Sequence, residues 1–202
     1  ELGIDVFAAP RAPDRLAIFS ENRPEWAIVD LAAQILGVIS VPIYTSLTSS
    51  EINYLLKDSG ARFVAVSGKS LFEKIKPIAA RLPDLKGVLG FDGGLSAHAN
   101  DLGVSLYSLY DFEKTIPDDA LIERRLHEVQ PSDVASIIYT SGTTGAPKGA
   151  MLTHANFIHN VTASQRTLKM GERDAHLSFL PLCHVLERMA GHYLMIYIGA
   201  SI

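Results

Sequence analysis

Val134-Ala135-Ser136-Ile137-Ile138-Tyr139 runs straight into Thr140-Ser141-Gly142-Thr143-Thr144-Gly145-Ala146-Pro147-Lys148-Gly149, and the fold hinges on this junction. The first six residues form a β-branched, apolar run, the pattern of a buried strand. The next ten hold four hydroxyl side chains, three glycines, one proline and one lysine. Such a loop has almost nothing apolar to bury. Its glycines let backbone N–H groups converge on one concavity, and its hydroxyls and the Lys148 ammonium add donors, which is what phosphate oxygens require. A buried strand that delivers a phosphate cradle points to an α/β fold.

The cradle is not a Walker loop. That motif needs G-x-x-x-x-G-K-[ST] with a helix opening directly off the lysine, whereas Lys148 is followed by Gly149 and the next helix-start signal is Thr153. Ser67-Gly68-Lys69-Ser70 mimics the tail of a Walker motif, but Phe63 stands where its first glycine belongs.

Outward from the loop, strand-like runs alternate with helical periodicities. Arg15 to Ser20, Val38 to Tyr44, Arg62 to Val66 and Gly87 to Phe91 read as strands, with Pro42 suggesting an irregular or edge position. Between them, Pro24 opens a helix that carries Trp26, Val29, Ala33 and Leu36 and stops at Gly37. Thr48-Ser49-Ser50-Glu51 is a capping box for a helix bearing Ile52, Leu55 and Leu56. Leu71 to Leu82 is a basic amphipathic helix, a solvated face in the ordinary case. Asp92 to Ser105 reads as a surface loop, and Asp118 to Val129 as a charged helix. After the cradle, Ala150 to Leu152 is expected to pair as a short strand. Thr153 then caps a helix to about Leu168, and Leu177 to Leu182 is the next expected strand, delivering Cys183 and His184. The pattern predicts a mainly parallel sheet with flanking helices.

Composition excludes several classes. The 202 residues are 48% hydrophobic and 20% charged, as in an ordinary globular protein, and the formal net charge of −4 argues against bulk nucleic-acid binding. One cysteine leaves no internal disulfide and suits a reducing, cytoplasmic compartment. Leu31 to Ser50 lacks charge, but Gln34, Ser40 and Pro42 interrupt it, so a helix followed by a strand explains it better than a membrane span. His154 and His159 stand five apart, off a common helical face, and do not suggest a metal pair. Oligomeric state and membrane attachment stay open, although a long acyl substrate would suit peripheral association.

Tyr139 to Gly149 resembles, without a gap, the Ser/Thr/Gly-rich signature of the adenylate-forming superfamily of acyl-CoA synthetases, luciferases and adenylation domains. Phe179-Leu180-Pro181-Leu182-Cys183-His184-Val185-Leu186-Glu187-Arg188 resembles its second motif, in the version similar to long-chain fatty acyl-CoA synthetases. The resemblance implies activation of a fatty acid by ATP to an acyl-adenylate with loss of pyrophosphate, then transfer to coenzyme A. It implies that Thr140, Ser141, Gly142, Thr143, Thr144, Gly145, Lys148 and Gly149 hold the nucleotide phosphates, that Lys148 and His184 serve catalysis, and that Thr140 lies near Mg2+. Hydrogen bonds to charged groups contribute ~1.5–3 kcal/mol each. Four at the lower figure come to about 6 kcal/mol, on the order of 10⁴ in rate if realised in the transition state. Cys183 is not expected to act as a nucleophile, because coenzyme A brings its own thiol. A fatty acyl-AMP ligase, another adenylating enzyme and a non-catalytic nucleotide-binding module are the alternatives. The resemblance also implies that residues 1–202 are a truncated part of the large N-terminal AMP-binding domain. The downstream remainder and C-terminal domain would be absent, and this piece alone inactive.

Overall fold

The apolar, β-branched runs form a sheet because their side chains can be buried on both faces at once. The computed structural model describes residues 14–95, 102–112, 118–140 and 145–202. Seven strands build one sheet: β1 (Arg15–Phe19), β2 (Ile39–Ile43), β3 (Phe63–Val66), β4 (Gly87–Gly90), β5 (Ser105–Ser108), β6 (Val134–Thr140) and β7 (Lys148–Thr153). Their order is β5-β4-β3-β1-β2-β6-β7, and every pairing is parallel except β6 with β7. The expected α/β architecture is present.

Helices α1 (Pro24–Leu36), α2 (Ser49–Ser59), α3 (Lys69–Ala79), α4 (Leu109–Phe112), α5 (Asp119–Glu128) and α6 (His154–Thr167) lie between and after the strands. On one face Ala17, Phe19 and Val41 pack with Ile52 and Leu56 of α2 and with Phe72 and Ile75 of α3. On the other, Ile18, Ala65 and Leu89 pack with Trp26 and Val29 of α1. β6 divides in the same way: Ile137 and Tyr139 join the first cluster, while Ala135 and Ile138 meet Phe157 of α6. α1 and α6 therefore share one side of the sheet.

The caps agree with the sequence. Thr48 Oγ1 accepts from Glu51 N–H, and the Glu51 carboxylate accepts from Thr48 N–H at 2.8 Å, completing the box that opens α2. Gly37 ends α1 at φ 69° and Gly60 ends α2 at φ 64°, left-handed positions that glycine adopts without strain.

Three expectations are refined and one is overturned. Of the two positions expected for Pro42, irregular or edge, the structure shows the irregular one, in an interior strand. The proline is tolerated where β2 pairs with β6 only at Ser40↔Ser136, so the pairing has already lapsed. The end of the Asp92 to Ser105 stretch leads into β5, a half-exposed strand too polar to announce itself. β7 spans six residues and closes an antiparallel hairpin on β6, with Lys148 opposite Thr140. Leu177 to Leu182 is not a strand: it runs irregularly, with Leu177 and Phe179 largely exposed. Beyond it comes a π-helical turn over Glu187–Tyr193, continuing into α7 (Leu194–Ile198). Among the described residues no helix is long and apolar enough to cross a membrane.

Candidate functional site

Parallel strands present their carboxyl ends along one edge of a sheet, and ligands bind there in α/β folds. The loop after Thr140 leaves β6 at that edge. Its two roots are held from below by α2. The Tyr54 hydroxyl donates to the Pro147 carbonyl at 3.1 Å, and the Tyr139 hydroxyl donates to Asp58 Oδ2 at 2.6 Å. Burial pushes the Tyr139 phenol well above its ordinary range, and Asp58 adds to the shift. Residues directly opposite in an antiparallel pair project to the same face, with Cβ atoms roughly 4.5–5.5 Å apart. Thr140 and Lys148 therefore stand side by side at the loop's mouth, both exposed. Ser141, Gly142, Thr143 and Thr144 lie outside the described residues.

The two glycines at the loop's far end differ physically. A Cβ on Gly145 meets nothing within 4 Å among the described residues. A Cβ on Gly149 would stand 2.6 Å from Ile137 Cγ2 and 3.2 Å from the Tyr139 ring. The glycine after Lys148 thus has a steric reason within the hairpin, whatever it does for a ligand. Gly149→Ala is expected to cost about 1–3 kcal/mol, as overpacking does, and to lower the thermal midpoint. Gly145→Ala should leave the midpoint unchanged.

A cavity of about 420 Å³ opens beside the loop, lined among others by Tyr44, Glu51, Thr140, Pro147 and His184. The structure brings Thr140 and His184, 44 positions apart, to one concavity. His184 is exposed, and its Nδ1 accepts from Leu186 N–H at 3.2 Å. In the neutral ring the proton therefore sits on Nε2. Cys183 beside it is buried, and that burial pushes its thiol up to about 12, so it packs and stays protonated. An apolar cavity of about 450 Å³ lies elsewhere, against α6 and α7; Phe157, Val161 and Tyr197 line it, and no described residue of the loop does.

Glu187 and Arg188, which the second motif places after the histidine, point inward. Glu187 is buried against His176, with Oε1 2.9 Å from Nε2. Arg188 is fully buried. Its Nη2 contacts Asp30 Oδ1 at 2.5 Å and Ser40 Oγ at 2.6 Å, and Nη1 donates to Ser136 Oγ at 2.7 Å. Nε donates to the Tyr193 hydroxyl at 3.1 Å, which in turn donates to Asp30 Oδ2 at 2.6 Å. The rings of Trp26, Phe157 and Tyr193 surround the guanidinium with centroids at 5.5, 5.2 and 5.4 Å. Burial works against the Arg188 charge, but Asp30 and Tyr193 more than restore it, leaving its pKa raised. Asp30, Ser40, Ser136 and Tyr193 had no part in the expected site. One signal was available: Asp30 follows Val29 on the apolar face of α1, where an unpaired carboxylate is not tolerated.

Among the described residues no cluster of three or more His, Cys, Asp or Glu is arranged to hold a metal ion. The Glu51 carboxylate, although it lines the cavity, is bonded to Thr48 N and Oγ1 in the cap.

Comparison with known proteins shows the family and the fold. The profile of the AMP-binding enzyme family matches residues 11–202. The chain is 36% identical over 195 residues to fatty acyl-CoA synthetase A of Dictyostelium discoideum, covering 94% of this chain and 28% of that protein. It is 35% identical over 199 residues to the long-chain-fatty-acid–CoA ligase FadD15 of Mycobacterium bovis, covering 94% and 31%. It thus spans less than a third of the length of these relatives. In fold it is similar to the anthranilate CoA ligase AuaEII in complex with anthranoyl-AMP, with a TM-score of 0.73 at 23% identity over 93% of this chain and 34% of that one. ATP-bound MatB from Rhodopseudomonas palustris superposes with a TM-score of 0.67 at 22% identity, over 96% and 35%. With Thr140 and His184 lining one cavity and the family profile matching residues 11–202, the chain belongs to the AMP-binding enzyme family.

Proposed function

We propose that this chain supplies the phosphate-holding part of an AMP-forming long-chain fatty acid–CoA ligase, and that residues 1–202 belong to its large AMP-binding domain. The observation that carries the reading is the shared cavity, which Thr140 at the loop's root and His184 both line. In the reaction the fatty acid carboxylate attacks the α-phosphorus of ATP, the bond to the bridging oxygen breaks, and pyrophosphate leaves. The coenzyme A thiol then attacks the adenylate carbonyl, forming the thioester and releasing AMP.

Negative charge grows on the β- and γ-phosphates as pyrophosphate departs. Lys148 and Thr140 at the mouth, with Ser141, Thr143 and Thr144 of the same sequence stretch, are assigned to stabilise that charge, and Gly142, Gly145 and Gly149 to let the backbone approach the phosphates. His184 donates from Nε2 to the carboxylate and then to the adenylate carbonyl, orienting the acyl group; a thiol needs no strong base beside it. Magnesium, when bound, would neutralise phosphate charge. Thr140 suits it as one hydroxyl ligand, with the phosphates supplying others.

The test is thioester formation by the full-length protein with palmitate, acetate and an amino acid. Palmitoyl-CoA formation well above the other two products is the expected result. A preference for acetate or an amino acid overturns the substrate, and accumulation of palmitoyl-adenylate with coenzyme A unconsumed indicates a fatty acyl-AMP ligase instead.

A further inference from the structure

His184 stands at the end of a segment that has no strand partner among the described residues. Leu177 is 79% exposed and Phe179 73%, so neither a ladder nor a core fixes the stretch before Leu182. A histidine that must meet a reacting group within a few tenths of an ångström needs another kind of support. That support comes from a side chain more than 150 positions earlier. The Asn22 amide, in the turn between β1 and α1, donates from Nδ2 to the Leu180 carbonyl at 2.7 Å, to Ser178 Oγ at 3.0 Å and to the Ser178 carbonyl at 3.3 Å. Its Oδ1 accepts from Leu182 N–H at 2.8 Å. Only this orientation of the amide matches donors to acceptors, since the reverse would set oxygen against two carbonyls and nitrogen against an N–H.

We propose that Asn22 is a positioning residue for His184, a reading that rests on the role given to His184 above. The bonds it makes seat Leu182, which is 7% exposed and packs with Ile18, Trp26 and Phe91, and Cys183, which is 3% exposed. His184 N–H then bonds the Pro181 carbonyl at 2.8 Å, closing a turn directly on the clamped residues. The far side is held by the same helix: Arg188 N–H bonds the His184 carbonyl at 3.1 Å, and the Arg188 guanidinium is fixed to Asp30 of α1. α1 and its leading turn thus hold His184 from both flanks. Asn22 does not line the cavity that His184 enters, so it acts through the segment and not on the substrate. Its own position is secured next door, where Arg23 pairs with Glu25 and Asp92, each at 2.8 Å.

The test is a double-mutant cycle in the full-length enzyme, joined to hydrogen exchange. Asn22→Ala is expected to lower kcat for acyl-adenylate formation about 10- to 100-fold, the scale of a misplaced reacting group, with KM for ATP unchanged. In a His184→Ala background the same substitution should cost nothing further. Amide exchange should rise across residues 178–186 and stay unchanged in β1. Asn22→Asp, which keeps the shape and removes both donors, is the gentler variant and should move the same readouts in the same direction. If the losses multiply independently of His184, or exchange rises equally in β1, Asn22 is merely structural and the proposal fails. If His184→Ala leaves turnover intact, the role assigned to His184 falls. The clamp is then judged by exchange alone: a rise confined to 178–186 supports it and no rise overturns it.

Discussion

Asp30→Ala is expected to destabilise the protein by about 3–5 kcal/mol, the usual cost of removing one partner from a buried ion pair. The substitution strands the Arg188 guanidinium, which is wholly buried, and leaves the Tyr193 hydroxyl without its acceptor. Ser40 and Ser136 can accept from Arg188 but carry no charge to balance it. The comparison that isolates the cause is Asp30→Ala combined with Arg188→Met, in which no charge is left uncompensated. Urea unfolding of the protein, followed by circular dichroism, should show the double variant less destabilised than Asp30→Ala alone. A double variant that unfolds at least as early would mean that the cost lies in lost packing around Trp26 and Phe157, not in the stranded charge.

Lys148→Ala is expected to have the opposite profile. The side chain is exposed at the first residue of β7, so its loss should change stability by no more than about 0.5 kcal/mol. If Lys148 meets the charge that develops on pyrophosphate, its loss should lower the rate of fatty-acid-dependent ATP–pyrophosphate exchange by the full-length enzyme roughly 10²–10³-fold, as removal of one well-placed donor does. Lys148→Arg keeps the charge and should recover part of the rate. Exchange at the wild-type rate in Lys148→Ala would mean that the loop is not a working cradle. The two variants together separate a group that holds the fold from a group that serves the reaction.

Local signals were legible in the sequence wherever one element supplies its own reasons. The spacing of Trp26, Val29 and Ala33, the Thr48–Glu51 box and the glycines at 37 and 60 are each satisfied within a few residues, and each element formed where the pattern put it. The hairpin that sets Thr140 beside Lys148 is local as well. Leu177 to Leu182 was misread because a strand is defined by its neighbour, and the backbone there meets the Asn22 side chain instead. The second motif contains Glu187 and Arg188 but does not say which way they point, and the neighbouring acid is not the partner that Arg188 takes. The acid that balances Arg188 sits 158 positions away, on a helix face where its presence was the overlooked clue. β5 escaped notice because SLYS is half polar, as an edge strand with one side in water should be.

The π-helical turn over Glu187–Tyr193 has one more consequence. At 3.6 residues per turn, five residues rotate a side chain to about 140° from where it began. Arg188 and Tyr193 are five apart, and in an α-helix they would face different directions. The wider turn, in which Leu194 N–H reaches back to the Met189 carbonyl, lets both arrive at Asp30. It also resets the angular phase of α7, so that Leu194 and Met195 turn onto Val161 of α6. The surplus residue in this turn is therefore a rotation and not a length. Removing it would leave the helix as long as it needs to be and aim its arginine, tyrosine and leucine at the wrong neighbours.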